Sequence, residues 1–282
     1  MSAIRFSINR TCSPQMTLAQ FVTFAQTVGV EAVEVRNDIA GREFANGMDA
    51  TSLRAVLLDA GLKLASINAL QRFNDWTGSR AEEALQLIRY AAMLGAPGIV
   101  MCPVIEADHG WSEAELELKL RHSLRMLRPM FLDHGIIGFV EPLGMKASTM
   151  KLQETAVAAV SDIDGWNAFQ ICHDTFQFFR CGDTRMFPEH IGLVHISGIM
   201  RRDLPPHELT EPDRGFVSAG DRAGNVEQLR KLIAGGYEGY VSIEPFDPAV
   251  QQDPEIAARL KASIDYVSGA VGITGTVSGV LA

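Results

Sequence analysis

Short runs of β-branched and apolar residues alternate along most of the chain with longer stretches of helical periodicity, which predicts βα units around a parallel sheet. Eight units can be counted, with strands expected over residues 4–9, 32–35, 63–68, 98–102, 136–141, 169–174, 192–196 and 240–244. The clearest helices fall over residues 17–28, 49–60, 79–94, 112–134, 226–234 and 254–267. Gly29, Gly61, Gly95, Gly135 and Gly235 each follow an expected helix, where a left-handed residue would close it. Two stretches are weak: the helix over 153–160 is short, and 178–190 has little helical pattern. Runs such as Gly98-Ile99-Val100-Met101-Cys102 lack polar alternation, as strands buried on both faces do. Eight such units are expected to close as a single (β/α)8 barrel, an α/β domain over residues 1–268.

In a barrel of this kind the loops after the strands build the site, while the opposite face mainly stabilises. The connection over 199–224 is long and carries Pro205, Pro206 and Pro212, so it is expected to be a functional loop over that site rather than a second domain. Residues 269–282 are uncharged and rich in Gly, Val, Ser and Thr. They are expected to be a tail that is either disordered or packed on a neighbouring subunit, which leaves a homo-oligomer open.

The 282 residues, 47% of them hydrophobic, suit one large core. A formal net charge of −9 and a pI near 5.3 oppose non-specific binding to nucleic acid. The chain passes almost at once into the strand-like Ile4-Arg5-Phe6-Ser7-Ile8, without the basic and apolar regions of a signal peptide. No apolar run reaches the roughly 18 residues that suggest a membrane span. The expected location is the cytoplasm, with no membrane partner. Cys12, Cys102, Cys172 and Cys181 have no CxxC spacing, so reduced, mostly buried thiols are the expectation.

Four segments then change the picture. Phe139-Val140-Glu141-Pro142, Ile171-Cys172-His173-Asp174, Leu193-Val194-His195-Ile196 and Val241-Ser242-Ile243-Glu244-Pro245 each lead from apolar residues into a metal-capable side chain. Taken singly, each has an ordinary reading. Glu141 or Glu244 before proline is a solvated turn residue, His195 a hydrogen-bonded core histidine, and Asp174 a helix cap. Together they put Glu, Asp, His and Glu at the ends of strands five to eight. Neighbouring strands lie about 4.8 Å apart, so four inward side chains at one level can converge on one divalent ion. Three carboxylates in one cavity also repel each other, which itself argues for a cation among them. His173 should face away from the other four and act structurally.

These residues in this order resemble the xylose isomerase-like barrel superfamily of sugar isomerases, ketose 3-epimerases, inosose isomerases and dehydratases, and family-2 apurinic endonucleases. The resemblance runs from Ile4 to about Val267. It is closest to the 2-keto-myo-inositol (inosose) isomerases through Val33-Glu34-Val35-Arg36, Ser66-Ile67-Asn68-Ala69-Leu70-Gln71-Arg72-Phe73-Asn74, Asp174-Thr175-Phe176-Gln177-Phe178 and Asp213-Arg214. It implies one divalent ion (manganese, magnesium, cobalt or zinc) held by Glu141, Asp174, His195 and Glu244. It further implies that Glu141 and Glu244 form the acid/base pair that moves a proton beside a carbonyl through an enediolate. Arg214 is implied to face the substrate, and Glu34 and Asn68 are placed to line the same mouth; the ordinary alternatives are an exposed surface Arg214, a Glu34 buried in an ion pair and an Asn68 that caps a turn. Phe73 and Trp76 offer an apolar wall for sugar carbons or, more simply, core packing.

Two positions depart from the relatives. Gln177 stands where a His is common, and an amide can bond a substrate hydroxyl but cannot exchange a proton near neutral pH. Gly198 stands where an Asp is common, three residues after His195. The expected activity is isomerisation or epimerisation of a polyhydroxylated keto compound, a small molecule, with inosose the leading candidate. Dehydration of inosose or 3-dehydroshikimate is the alternative chemistry, and a non-catalytic sugar-binding protein the alternative class. The acidic charge and the single His/carboxylate set do not suggest a multi-metal DNA-repair phosphodiesterase.

Overall fold

The computed structural model describes residues 4–272. Strands β1 (Arg5–Asn9), β2 (Ala32–Arg36), β3 (Lys63–Leu70), β4 (Gly98–Met101), β5 (Ile137–Val140), β6 (Phe169–Asp174), β7 (Ile191–Ile196) and β8 (Tyr240–Ile243) form one closed parallel barrel in sequence order. Parallel neighbours need crossover connections, and helices supply them. They are α1 (Leu18–Val28), α2 (Ala50–Asp59), α3 (Gly78–Leu94), α4 (Glu113–His134), α5 (Gln153–Ser161), α6 (Thr175–Cys181) and α7 (Asn225–Ala234). A short α8 (Pro248–Gln251) and the long α9 (Ile256–Gly272) follow β8. The last helix runs beyond the boundary expected at 268; the remainder of the tail, residues 273–282, lies outside the described residues.

Local chemistry accounts for the helix starts. Thr17 and Ser112 close capping boxes with Gln20 and Glu115, while Asp49 and Thr77 accept the backbone N–H of Ser52 and Arg80. Gly29, Gly61, Gly95 and Gly135 are left-handed as expected, but Gly235 has φ −81° and the left-handed residue is Gly236, φ 96°. The helix reaches no further than Ala234, and the turn back to the barrel is made one residue later than the sequence suggests.

Apolar residues divide into two layers. Between sheet and helices lie Ile8, Val33, Ile67, Ile99, Val140, Ile171, Val194 and Val241, with the helix faces that cover them. Inside the barrel a smaller cluster includes Ala32, Val100, Phe139, Cys172 and Leu193. Phe139 fits there because β4 and β7 present glycine to its ring: a Cβ at Gly98 or Gly192 would lie 2.6 or 2.7 Å from it. Above this apolar floor the inward positions turn polar, with Asn9, Glu34, Asn68, His195 and Ser242 all at most 2% exposed. That change of character marks the functional end.

Among the described residues no helix is long and apolar enough to cross a membrane. Phe73 is fully buried in the core and Trp76 packs against it, so both are packing residues.

Candidate metal centre

Asp174 closes β6 and His195 sits one residue from the end of β7, whereas Glu141 and Glu244 are the first residues after β5 and β8. Strand alternation turns all four towards the barrel axis, and pairing sets Asp174 beside His195. One donor atom from each lies within 4.8 Å of the others. None of the four is more than 4% exposed.

The imidazole is fixed from both sides. Nδ1 of His195 faces Glu141 Oε1 at 3.1 Å and Glu244 Oε2 at 3.4 Å, while Nε2 lies 3.2 Å from the Glu34 carboxylate. Burial alone would lower the pKa of His195, but its acidic neighbours, among them Cys172, Glu34 and Glu244, outweigh it and raise the value well above the usual one. Glu34 also accepts hydrogen bonds from Asn68 at 2.7 Å, from Asn9 at 3.3 Å, and from the hydroxyls of Ser66 and Ser242. Burial would raise its pKa; the His195 charge and these donors hold it down at about 2. Of the two readings of Glu34, mouth residue or buried ion-pair partner, the structure shows an enclosed carboxylate in contact with His195, with Asn68 among the donors that hold it.

Asp174 does two things at once. Its Oδ1 caps α6 by accepting the Gln177 N–H at 2.9 Å, and its Oδ2 accepts Arg214 Nη2 at 2.6 Å. The same nitrogen reaches Glu244 Oε2 at 2.9 Å, Arg214 Nη1 meets Glu211 at 2.6 Å, and Nε meets Ser197 at 2.9 Å. The guanidinium, 2% exposed, lies 4.6 Å from the centroid of the Phe246 ring and 5.1 Å from that of Phe176. Burial raises the pKa values of Asp174 and Glu244, and Arg214 pulls both back.

The long loop that carries Arg214 lies across this end. Gly198 and Gly215 exchange backbone hydrogen bonds of 2.8 and 2.9 Å, and the Arg214 carbonyl accepts the N–H groups of Phe246 and Asp247 at 2.9 Å each. A Cβ at Gly198 would sit 2.2 Å from the Phe216 carbonyl oxygen. That close crossing explains why a side chain is absent there.

The Gln177 amide is engaged at both ends: its Oε1 accepts the Gly144 N–H at 2.9 Å and its Nε2 donates to Glu211 at 3.1 Å. These bonds tie β5's following loop to the Arg214 loop. His173 points to the helices, where it contacts Gln153 and meets Gln228 at 2.8 Å. Burial keeps it neutral, lowering its pKa to about 4.

Sequence reasoning missed several groups. Asn9 and Arg36 hold Glu244 Oε1 at 3.1 and 3.0 Å, and Arg36 in turn pairs with Asp38 at 2.7 Å. Arg36 follows Glu34 by two residues on one strand, so alternation carried the signal. Glu211 carried none, being a loop residue with no pattern around it. Cys102 and Cys172, expected to be inert, lie 3.3 and 3.8 Å from the two oxygens of Glu141.

The donor set fits a divalent ion: three carboxylates and an imidazole nitrogen, buried, converging, and oriented by a second layer of hydrogen bonds. Fold and site together define a (β/α)8 barrel with a metal-capable end. The family model for the xylose isomerase-like TIM barrel matches residues 22–267, and the chain belongs to that family. Among solved structures it is similar to a xylose isomerase domain containing protein from Salmonella typhimurium LT2, with 25% identity and a TM-score of 0.85, covering 96% of this chain and 99% of that one. It is also similar in fold to the IolI protein solved with a zinc atom, at 19% identity and a TM-score of 0.83, covering 95% and 98%. D-psicose 3-epimerase from Clostridium cellulolyticum H10 shares the fold at 15% identity and a TM-score of 0.73, covering 95% and 99%. No curated protein matches the sequence.

Proposed function

We propose that this protein is a divalent-metal-dependent isomerase or epimerase of a polyhydroxylated keto compound, with inosose as the leading substrate. The observation that carries the reading is the convergence of Glu141, Asp174, His195 and Glu244 within 4.8 Å at the functional end of the barrel. Similarity to a zinc-containing IolI structure and to a ketose 3-epimerase supports it. A bound divalent ion supplies charge stabilisation for the oxygens of a substrate that becomes an enediolate.

The chain's own residues supply the rest. Glu141 and Glu244 project from β5 and β8, which are not neighbours in the barrel, so they approach a substrate from different sides. One removes the proton beside the carbonyl and the other returns a proton, to the neighbouring carbon in an isomerisation or to the opposite face of the same carbon in an epimerisation. Asn9 and Arg36 fix the far oxygen of Glu244, leaving its second oxygen facing the site. Arg214 exchanges its carboxylate partners for substrate oxygens, its guanidinium fork suiting paired oxygen acceptors. Enclosure by the 197–224 segment keeps water from a reactive intermediate.

The test is incubation of the manganese-loaded protein with ketoses, inososes and 3-dehydroshikimate in deuterated water, followed by NMR and mass spectrometry. Deuterium incorporation without loss of water is the expected result and identifies the carbon. Loss of about 18 mass units would select a dehydratase instead, and absence of turnover across the panel would favour a binding protein. Glu141→Gln and Glu244→Gln should each abolish exchange; substantial exchange in either removes that residue as an obligatory proton carrier.

A further inference from the structure

The cluster just described contains a second donor set. Glu141, Cys172 and His195 also offer one ligand atom each within 4.8 Å of one another. Cys172 precedes Asp174 by two residues on β6, so both point inward, with the thiol one layer deeper, among the apolar residues of the barrel floor. Zinc bonds are roughly 2.3 Å to sulfur and roughly 2.0 Å to nitrogen or oxygen, which puts sulfur and oxygen donors about 3.5 Å apart and nitrogen and oxygen about 3.3 Å apart in a tetrahedral site. The Cys172 Sγ to Glu141 Oε1 distance is 3.8 Å and the His195 Nδ1 to Glu141 Oε1 distance is 3.1 Å. Both lie close to those values.

A second observation separates the two sets. Asp174 and Glu244 are already engaged by the guanidinium of Arg214, at 2.6 and 2.9 Å. Among the described residues Glu141 makes no pair with Arg or Lys; its side-chain partners are His195 and the thiols of Cys102 and Cys172. A cation held by Asp174 and Glu244 must displace Arg214, whereas a cation held by Glu141, Cys172 and His195 leaves that strap in place. The deeper position also replaces two hard oxygens with one soft sulfur.

Resting on the metal-centre reading above, we infer that Cys172 is a metal ligand that gives this centre a second, deeper seat for a thiophilic divalent cation such as zinc or cobalt. Hard cations such as manganese or magnesium take the upper seat of Glu141, Asp174, His195 and Glu244. On binding, a sulfur–metal coordinate bond forms and the thiol proton leaves to solvent, with no change of oxidation state. Metal identity thereby sets metal position, and Cys172 sets the selectivity between the two classes of ion.

The experiment is titration of the full-length, metal-free protein with cobalt(II), read by near-ultraviolet absorption, where thiolate-to-cobalt charge transfer appears, alongside calorimetry for binding itself. Wild type should develop the charge-transfer band as cobalt binds; Cys172→Ser should lose the band, and Cys102→Ser should keep it. Zinc affinity should fall at least tenfold in Cys172→Ser while manganese affinity changes less than threefold. Cobalt binding without the band, or a band that survives Cys172→Ser and disappears in Cys102→Ser, overturns the assignment. No cobalt or manganese binding by any form would instead refute the metal centre as a whole. If Cys172→Ser does not fold, zinc X-ray absorption on wild type decides: a sulfur scatterer near 2.3 Å supports the seat, and its absence rejects it.

Discussion

Replacing Glu34 by Gln isolates the orienting role of a residue that the sequence suggested would face substrate. Five donors converge on the Glu34 carboxylate: His195 Nε2 at 3.2 Å, Asn68 Nδ2 at 2.7 Å, Asn9 Nδ2 at 3.3 Å, and the hydroxyls of Ser66 and Ser242. Gln keeps the shape but turns one acceptor into a donor. The serine hydroxyls can rotate and accept from that amide; the His195 and asparagine N–H groups cannot. At least one buried donor loses its partner, at a cost of about 1–3 kcal/mol in stability. The imidazole also loses a charged anchor behind its metal-facing nitrogen, and outer partners of this kind are worth about 10- to 100-fold in metal affinity. That corresponds to about 1.4–2.8 kcal/mol. Calorimetric titration of wild type and Glu34→Gln with manganese measures the affinity, and thermal melts of the metal-free forms measure the stability. Wild-type manganese affinity in a variant that folds normally, with only KM raised, would refute the orienting role and restore Glu34 to the substrate mouth.

Other consequences follow from the same geometry. Arg214→Met removes the cation that competes for Asp174 and Glu244, so the metal-free form should melt lower and the rise in Tm on adding manganese should exceed that of wild type; an equal or smaller rise counts against competition. Saturating metal at about 100 times Kd should stabilise wild type by about 2.7 kcal/mol, and a chelator should reverse this and stop deuterium exchange. Unchanged melting with chelator would oppose a bound ion. Gly198→Ala pushes a Cβ to 2.2 Å from the Phe216 carbonyl and must shift the loop that carries Arg214. It should cost about 1–3 kcal/mol in stability and raise KM severalfold; wild-type kinetics would show that the close crossing does not position Arg214.

The barrel was legible because each strand carries a local apolar run and helices α1 to α4 each carry an N-capping residue, signals that need no tertiary context. The helix after Asp174 was not: α6 spans only Thr175–Cys181, too short for an amphipathic period to emerge, and it exists because Asp174 caps it and Gly182 ends it. The convergence of Glu141, Asp174, His195 and Glu244 was legible because strand ends in a closed barrel share one rim. Their surroundings were not. For Glu34 the sequence left a place at the mouth and a buried ion pair equally open, because it gives the strand and face of a residue but not the donors that neighbouring strands bring to it. The partners of Gln177, Gly144 and Glu211, were not legible because they lie 33 and 34 residues away on other loops. Cys172 looked inert because a thiol's role depends on which strands flank it, here those bearing Glu141 and His195.

The most direct measurement is anomalous diffraction at the manganese edge from crystals soaked in manganese. One strong peak is expected among Glu141, Asp174, His195 and Glu244, with Arg214 withdrawn from Asp174 and Glu244. A peak elsewhere, or none at this site with Arg214 still bound to both carboxylates, would contradict it.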